Sequence, residues 1–277
     1  MKRMILLLTI IILLLISCSS NNTEEELIYN ETSYGVFLGA SNEDIDYMLQ
    51  YDEIVIDAQY FTDNEISYMK SKGKVIYSYL NVGSIEDFRD YYDDYKDLTL
   101  GDYENWDEER WVDVSNKDWQ DFVINNLAYT ILNKGIDGFF IDNVDVYYNY
   151  KNDDIFNGLT YILEELKKMT YTLINGGDEY VMEYYERYNN ITDIMSGVNQ
   201  ETVFSKINWD KVDSFTKNDK DETKYFMEYV EFIGSHEGDV YLLEYSKDNA
   251  LINKIYDYCN EHNYKYYVSK TLELLAK

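Results

Sequence analysis

Several short apolar runs in this chain end on a polar residue that could do chemistry. These residues are Asp57, Asn81, Asp142 with Asp145 just behind it, Asn175, Asn199, Glu201 and Glu244. A polar residue in such a place is commonly a helix cap. Glu201 fits that role poorly, because Glu is not a favoured N-cap. Asp142 fits it poorly too, since Asn143-Val144-Asp145 follows it rather than a helical pattern. The chain has two His, at 236 and 262, and no glycine-rich phosphate loop of the usual spacing; Gly176-Gly177 alone is too short. What remains is acid–base work by carboxylates. Glycoside hydrolysis needs such a pair and little else: one carboxyl protonates the leaving oxygen, and the other attacks the anomeric carbon or activates a water.

For these residues to meet, the runs that carry them must share one sheet. The pattern predicts eight strands, over Gly35–Gly39, Glu53–Tyr60, Lys74–Val82, Asp137–Asp142, Thr170–Asn175, Ile191–Asn199, Asp239–Tyr245 and Tyr264–Ser269. Several are nearly continuous apolar runs, such as Phe139-Phe140-Ile141, which suits strands buried on both faces of a parallel sheet. The stretches between them read as helices. They are Asn42–Leu49 behind Ser41, Asn64–Lys72 behind Asp63, Lys117–Asn133, Phe156–Met169, Thr223–Ile233 and Leu251–Glu261. Strand–helix alternation repeated about eight times within one domain predicts an α/β fold, a single (β/α)8 TIM-type barrel. In such a barrel the C-terminal strand ends carry the active site. The third βα connection is long and acidic: Glu86–Arg110 holds eleven acids and three basic residues, interleaved with Tyr91, Tyr92, Tyr95, Tyr103 and Trp106. Interleaved aromatics predict an ordered lid rather than a loose tail.

Composition narrows the classes further. With 24 Lys+Arg against 53 Asp+Glu the formal charge is −29, which argues against nucleic acid as a partner. Two Cys exclude a disulfide scaffold and a Cys-rich zinc site. No spaced calcium-loop pattern appears, and neither a metal nor another cofactor is expected. The 31 Tyr and the absence of Pro fit codon usage in a genome poor in G and C, so the tyrosines alone do not argue a sugar-stacking surface.

Lys2 and Arg3 precede an apolar run from Met4 to Ile16, too short to span a bilayer as a helix. This reads as an export signal over residues 1–17. Leu15-Ile16-Ser17-Cys18 resembles the lipobox of bacterial lipoproteins, in which the Cys is lipidated. Residues 18–33 then form a lipidated N-terminus and polar tether, residues 34–277 the barrel, and the protein sits exported in the bacterial cell envelope, anchored to the membrane through Cys18. Cys259 is expected to be a buried free thiol.

Longer segments carry a family resemblance. Tyr77-Ser78-Tyr79-Leu80-Asn81-Val82-Gly83 with Glu86 and Arg89, Trp111-Val112-Asp113-Val114, and Gly135 to Asp145 are similar to glycoside hydrolase family 114, the endo-α-1,4-polygalactosaminidases. So are Val198-Asn199-Gln200-Glu201-Thr202-Val203-Phe204 and Tyr266-Tyr267-Val268-Ser269. The resemblance runs from about Gly35 to Leu275. It implies a (β/α)8 barrel without cofactor that hydrolyses α-1,4-linked galactosamine-containing polymers, with Asp142 and Glu201 as the catalytic carboxylates. Asp57, Tyr79, Asn81, Asp145, Asn175 and Glu244 are then the substrate-binding candidates. The acidity of the mouth points to a cationic amino-sugar polysaccharide as substrate, the position of strands four and six favours retention of configuration, and the chain is read as a monomer. The competing reading is a non-catalytic carbohydrate-binding lipoprotein on the same barrel; fold alone does not separate the two.

Overall fold

The computed structural model describes residues 34–276. The export signal, Cys18 and the tether lie outside the described residues. Among those described, no helix is long and apolar enough to cross a membrane.

Eight parallel strands form one sheet in sequence order: β1 Tyr34–Phe37, β2 Glu53–Ile56, β3 Val75–Asn81, β4 Gly138–Asp142, β5 Tyr171–Asn175, β6 Gly197–Glu201, β7 Asp239–Tyr245 and β8 Lys265–Ser269. β1 and β8 flank the seam, where Phe37 meets Tyr267 edge-on with centroids 5.2 Å apart. This nearly closed sheet with helices around it is the expected TIM-type barrel. Its walls are apolar on both faces, as continuous runs require: Ile54, Val55 and Ile56 are all fully buried, as are Phe139, Phe140 and Ile141.

The two ends of the barrel differ in chemistry. At the N-terminal end, Tyr77 and Tyr241 donate to Glu53 Oε2 at 3.2 and 2.9 Å. Lys265 donates to Glu53 and, at 3.0 Å, to Tyr241, which plugs the bottom. At the C-terminal end the strands finish on Asn81, Asp142, Asn175, Glu201 and Tyr245.

Three expectations need correction. The sixth strand is Gly197–Glu201, not Ile191–Asn199, because Ile191, Ile194 and Met195 are buried in a turn beneath the sheet rather than in it. The second helix, Asp63–Ser71, is capped by Thr62 in a capping box with Glu65, one residue before the expected cap. A helix over Asp178–Tyr188 went unpredicted: its entry, Gly177, is left-handed at φ 73°, and its buried face is Tyr180, Val181 and Tyr184, which does not read as a conventional apolar stripe.

The long third connection is ordered. Ser84–Glu86, Glu109–Val112 and Thr99–Asp102 form an antiparallel sheet with Glu109–Val112 in the centre. Tyr103 stacks on Trp111 at 4.4 Å, and Trp119 Nε1 donates to Val82 O at 2.8 Å. These contacts hold the flap and the helix after it against the end of β3. Gly83 is required where this flap leaves the barrel: a Cβ there would lie 1.8 Å from the carbonyl oxygen of Asn143.

Candidate active site

Asp142, Asn175 and Glu201 end three adjacent strands, and each is followed by a residue in the left-handed region. These followers are Asn143 at φ 64°, Gly176 at φ 66° and Thr202 at φ 55°. Asn and Gly take that conformation readily, whereas Thr, being β-branched, is strained in it. The sharp exits let the last side chain of each strand turn into the mouth before the backbone leaves.

The three side chains are joined by one amide. Asn175 Nδ2 donates to Asp142 Oδ1 at 3.0 Å and to Glu201 Oε1 at 2.7 Å. Its orientation is set from below: Asn199 Nδ2 donates to Asn175 Oδ1 at 2.6 Å, and Tyr34, reaching across from β1, donates to Asn199 Oδ1 at 2.9 Å. The far oxygen of Glu201 accepts from the Tyr245 hydroxyl at 2.8 Å. With one N–H directed at each acid, ideal amide geometry places the two accepting oxygens about 5 Å apart.

Burial dominates the electrostatics. Desolvation pushes both Asp142 and Glu201 above the usual carboxylate range. Asp142 is drawn back by the Asn175 amide, the Asn143 N–H and the Tyr79 hydroxyl. Glu201 is drawn back by Asn175 and Tyr245 and raised again by the charge of Asp142. Two carboxyls this close hold one proton more readily than none. The charge of Asp142 raises Glu201, which favours Asp142 as the anion and Glu201 as the holder of the proton.

The cleft around them measures about 1120 Å3. Ten carboxylate residues line it against one basic residue, Arg89. Arg89 is already engaged by Asp57 at 2.7 Å and Glu86 at 2.9 Å. Desolvation still raises Asp57 despite that partner. Asp145 accepts from Gly177 N at 3.3 Å and is pushed up to about 7 by burial and by the charges of Asp178 and Asp142. Aromatic side chains stand at the rim: Tyr60 and Phe88 beside Arg89, and Trp106 of the flap edge-on to Trp209 at 6.2 Å. Among the described residues, no group of three or more His, Cys, Asp or Glu is arranged to hold a metal ion.

The structure brings Asp57, Tyr79, Asp142, Asp145, Asn175 and Glu201 together in this cleft. Two candidates do not join them. Glu244 is fully buried and turned out of the barrel, where it accepts from Phe204 N and Ser205 N, each at 2.9 Å, and from the Ser205 hydroxyl. It is a structural clamp between β7 and the hairpin after β6, and burial pushes it up to about 7. Asn81 is buried beneath the flap, donating to Glu109 Oε1 at 3.0 Å and accepting from Ser84 N at 3.0 Å. It positions the flap instead of lining the cleft. Residues that sequence reasoning missed include Tyr245, Trp209 and Glu109. Tyr245 lies on the face of β7 opposite Glu244, and a strand apolar on both faces does not mark which face is inward.

A barrel whose strand ends hold a carboxylate pair in an acidic cleft is the architecture of a glycoside hydrolase. Compared with known families, the chain matches Glycoside-hydrolase family GH114 over residues 19–274, and it belongs to that family. The glycoside hydrolase domain of PelA from Pseudomonas aeruginosa is 16% identical with a TM-score of 0.73, over 88% of this chain and 96% of that one. Aspergillus fumigatus Ega3, solved in complex with galactosamine, is 17% identical with a TM-score of 0.68, over 88% of this chain and 93% of the other. At such identities these likenesses speak for the fold. No curated protein matches the chain in sequence.

Proposed function

We propose that this glycoside hydrolase cleaves within an α-1,4-linked, galactosamine-containing polysaccharide whose amino groups are at least partly free, and that it does so with retention. The observation that carries the mechanism is the single Asn175 amide donating to both acids. Ideal geometry at that amide corresponds to a separation of about 5 Å, near the range of about 5–5.5 Å for retaining enzymes and below the roughly 6.5–9.5 Å that leaves room for an inverting water.

Asp142, fixed at the end of a fully buried strand and favoured as the anion, attacks the anomeric carbon. Glu201 donates its proton to the glycosidic oxygen as that bond breaks. The glycosyl ester on Asp142 is then cleaved by a water that gives its proton back to Glu201. The lining of ten carboxylates favours a polycation over a uronic-acid polymer. Ega3, solved in complex with galactosamine, supports the same substrate class. The test is reducing-end release from a panel of amino-sugar polymers, with Asp142→Asn and Glu201→Gln as controls. Binding without cleavage by the wild type would leave a carbohydrate-binding protein and sink the hydrolase.

The Leu15-Ile16-Ser17-Cys18 segment supports tethering to the cell envelope by lipid on Cys18. Two or more acyl chains hold stably where one is marginal. Wild type should enter the detergent phase on phase partitioning and Cys18→Ala the aqueous one; equal partitioning into water would remove the anchor.

A further inference from the structure

Glu109 sits on the central strand of the flap, and its side chain reaches down into the mouth. Its Oε1 accepts from Asn143 Nδ2 at 2.8 Å, from Asn81 Nδ2 at 3.0 Å and from the Ser84 hydroxyl. Its Oε2 accepts no hydrogen bond among the described residues. The residue is 8% exposed and lines the cleft.

Three donors on one oxygen anchor the flap, but that anchoring needs only a neutral acceptor. The carbonyl of a Gln faces the same donors with two lone pairs, enough to hold the flap. A charge is therefore more than the anchor requires, and it is costly where it stands. Desolvation, with the charges of Glu86 and Asp142 adding to it, pushes Glu109 up to about 7. The basic group of the cleft, Arg89, is committed to Asp57 and Glu86. A buried carboxylate with one oxygen fixed and the other free, and no cation of its own, is shaped to receive a cation from outside.

We propose that Glu109 Oε2 accepts a hydrogen bond from the protonated 2-amino group of the sugar unit held beside Asp142, and so selects de-N-acetylated over N-acetylated units. This rests on the substrate class proposed above. The position follows from the chain: Glu109 bonds Asn143, the residue after Asp142, so the ammonium it meets belongs to the unit under attack or its neighbour. An acetamido nitrogen carries no charge and brings a carbonyl toward an acidic wall.

Glu109→Gln separates recognition from anchoring, because it keeps the Oε1 acceptor and replaces the free oxygen with an uncharged NH2. Calorimetry would compare a de-N-acetylated α-1,4-galactosamine tetramer with its N-acetylated counterpart. The proteins would be Glu201→Gln and the double variant Glu201→Gln/Glu109→Gln, with kcat and KM of wild type and Glu109→Gln measured in parallel. The expected result is at least tenfold weaker binding of the de-N-acetylated tetramer alone, with KM moving more than kcat. Asn81→Ala, which loosens the anchor and spares the charge, should keep the preference for free amines. Equal affinity with and without Glu109→Gln, equal losses for both tetramers, loss of the preference in Asn81→Ala, or no binding of the de-N-acetylated tetramer at all would each overturn the assignment. Absence of cleavage by the wild type would instead sink the hydrolase reading, with the binding comparison still deciding Glu109.

Discussion

Asn175 does at the residue scale what neither acid does alone. Its one NH2 group spaces Asp142 and Glu201, and its oxygen is held by Asn199, which Tyr34 holds in turn. Removing the chemistry from either acid should be drastic: Asp142→Asn and Glu201→Gln should each lower turnover roughly 10^3-fold or more while polymer binding survives. Tyr245→Phe is a finer probe. The Tyr245 hydroxyl stabilises the ionised form of Glu201, so its loss raises the pKa of Glu201 further. In the proposed mechanism Glu201 acts when protonated, so the basic limb of the pH–rate profile should move to higher pH. The rate itself should fall about tenfold, in keeping with a hydrogen bond to a charged group. A basic limb that stays in place would mean that another group sets it.

The elements explain which of these residues were legible in the sequence. Asp142 and Glu201 stood out because neither suits a helix cap, and both do lie at strand ends in the mouth. Asn175 was visible as a strand end, but its bridging role depends on two strands lying either side of it. Glu244 was misread because β7 is apolar on both faces. Val240 and Leu242 share its outward face, Tyr241 and Leu243 share the inward face of Tyr245, and nothing in the pattern says which side is inside. Glu109 was hidden in a run of acids, and only the fold of the flap separates it from its exposed neighbour Glu108. The corrected role of Glu244 is testable. Glu244→Ala leaves two N–H groups and a hydroxyl without their acceptor, at a cost of about 3 kcal/mol. That should lower the melting temperature by roughly 6–12 °C. Affinity for the polymer, measured well below melting, should not change; a selective loss of affinity would return Glu244 to the site.

Across the whole molecule the acids make stability and activity depend on the medium. Asp57, Glu109, Asp142, Asp145, Asp178, Glu201 and Glu244 are all raised by burial, three of them to about 7. A carboxyl raised in the folded state binds protons there that the unfolded chain has already released. Its stabilising contribution is present below its ordinary pKa and is lost as pH rises through the folded value. The melting temperature should therefore fall as pH is raised from about 5 to about 8, and a flat or rising trend would contradict the burial of these groups. The formal charge of −29 acts at longer range. For a polycationic substrate kcat/KM should fall as salt rises, because the screening length is only about 10 Å at 0.1 M. For a neutral polymer it should change little.

The central claim is a retaining carboxylate pair acting on an α-linked amino-sugar polymer. It is met most directly by proton NMR of the first product released from a de-N-acetylated α-1,4-galactosamine oligosaccharide, read before mutarotation. The spacing set by Asn175 predicts that the new reducing end appears first as the α anomer and equilibrates afterwards. First appearance of the β anomer would show inversion and contradict the geometry proposed for Asp142 and Glu201.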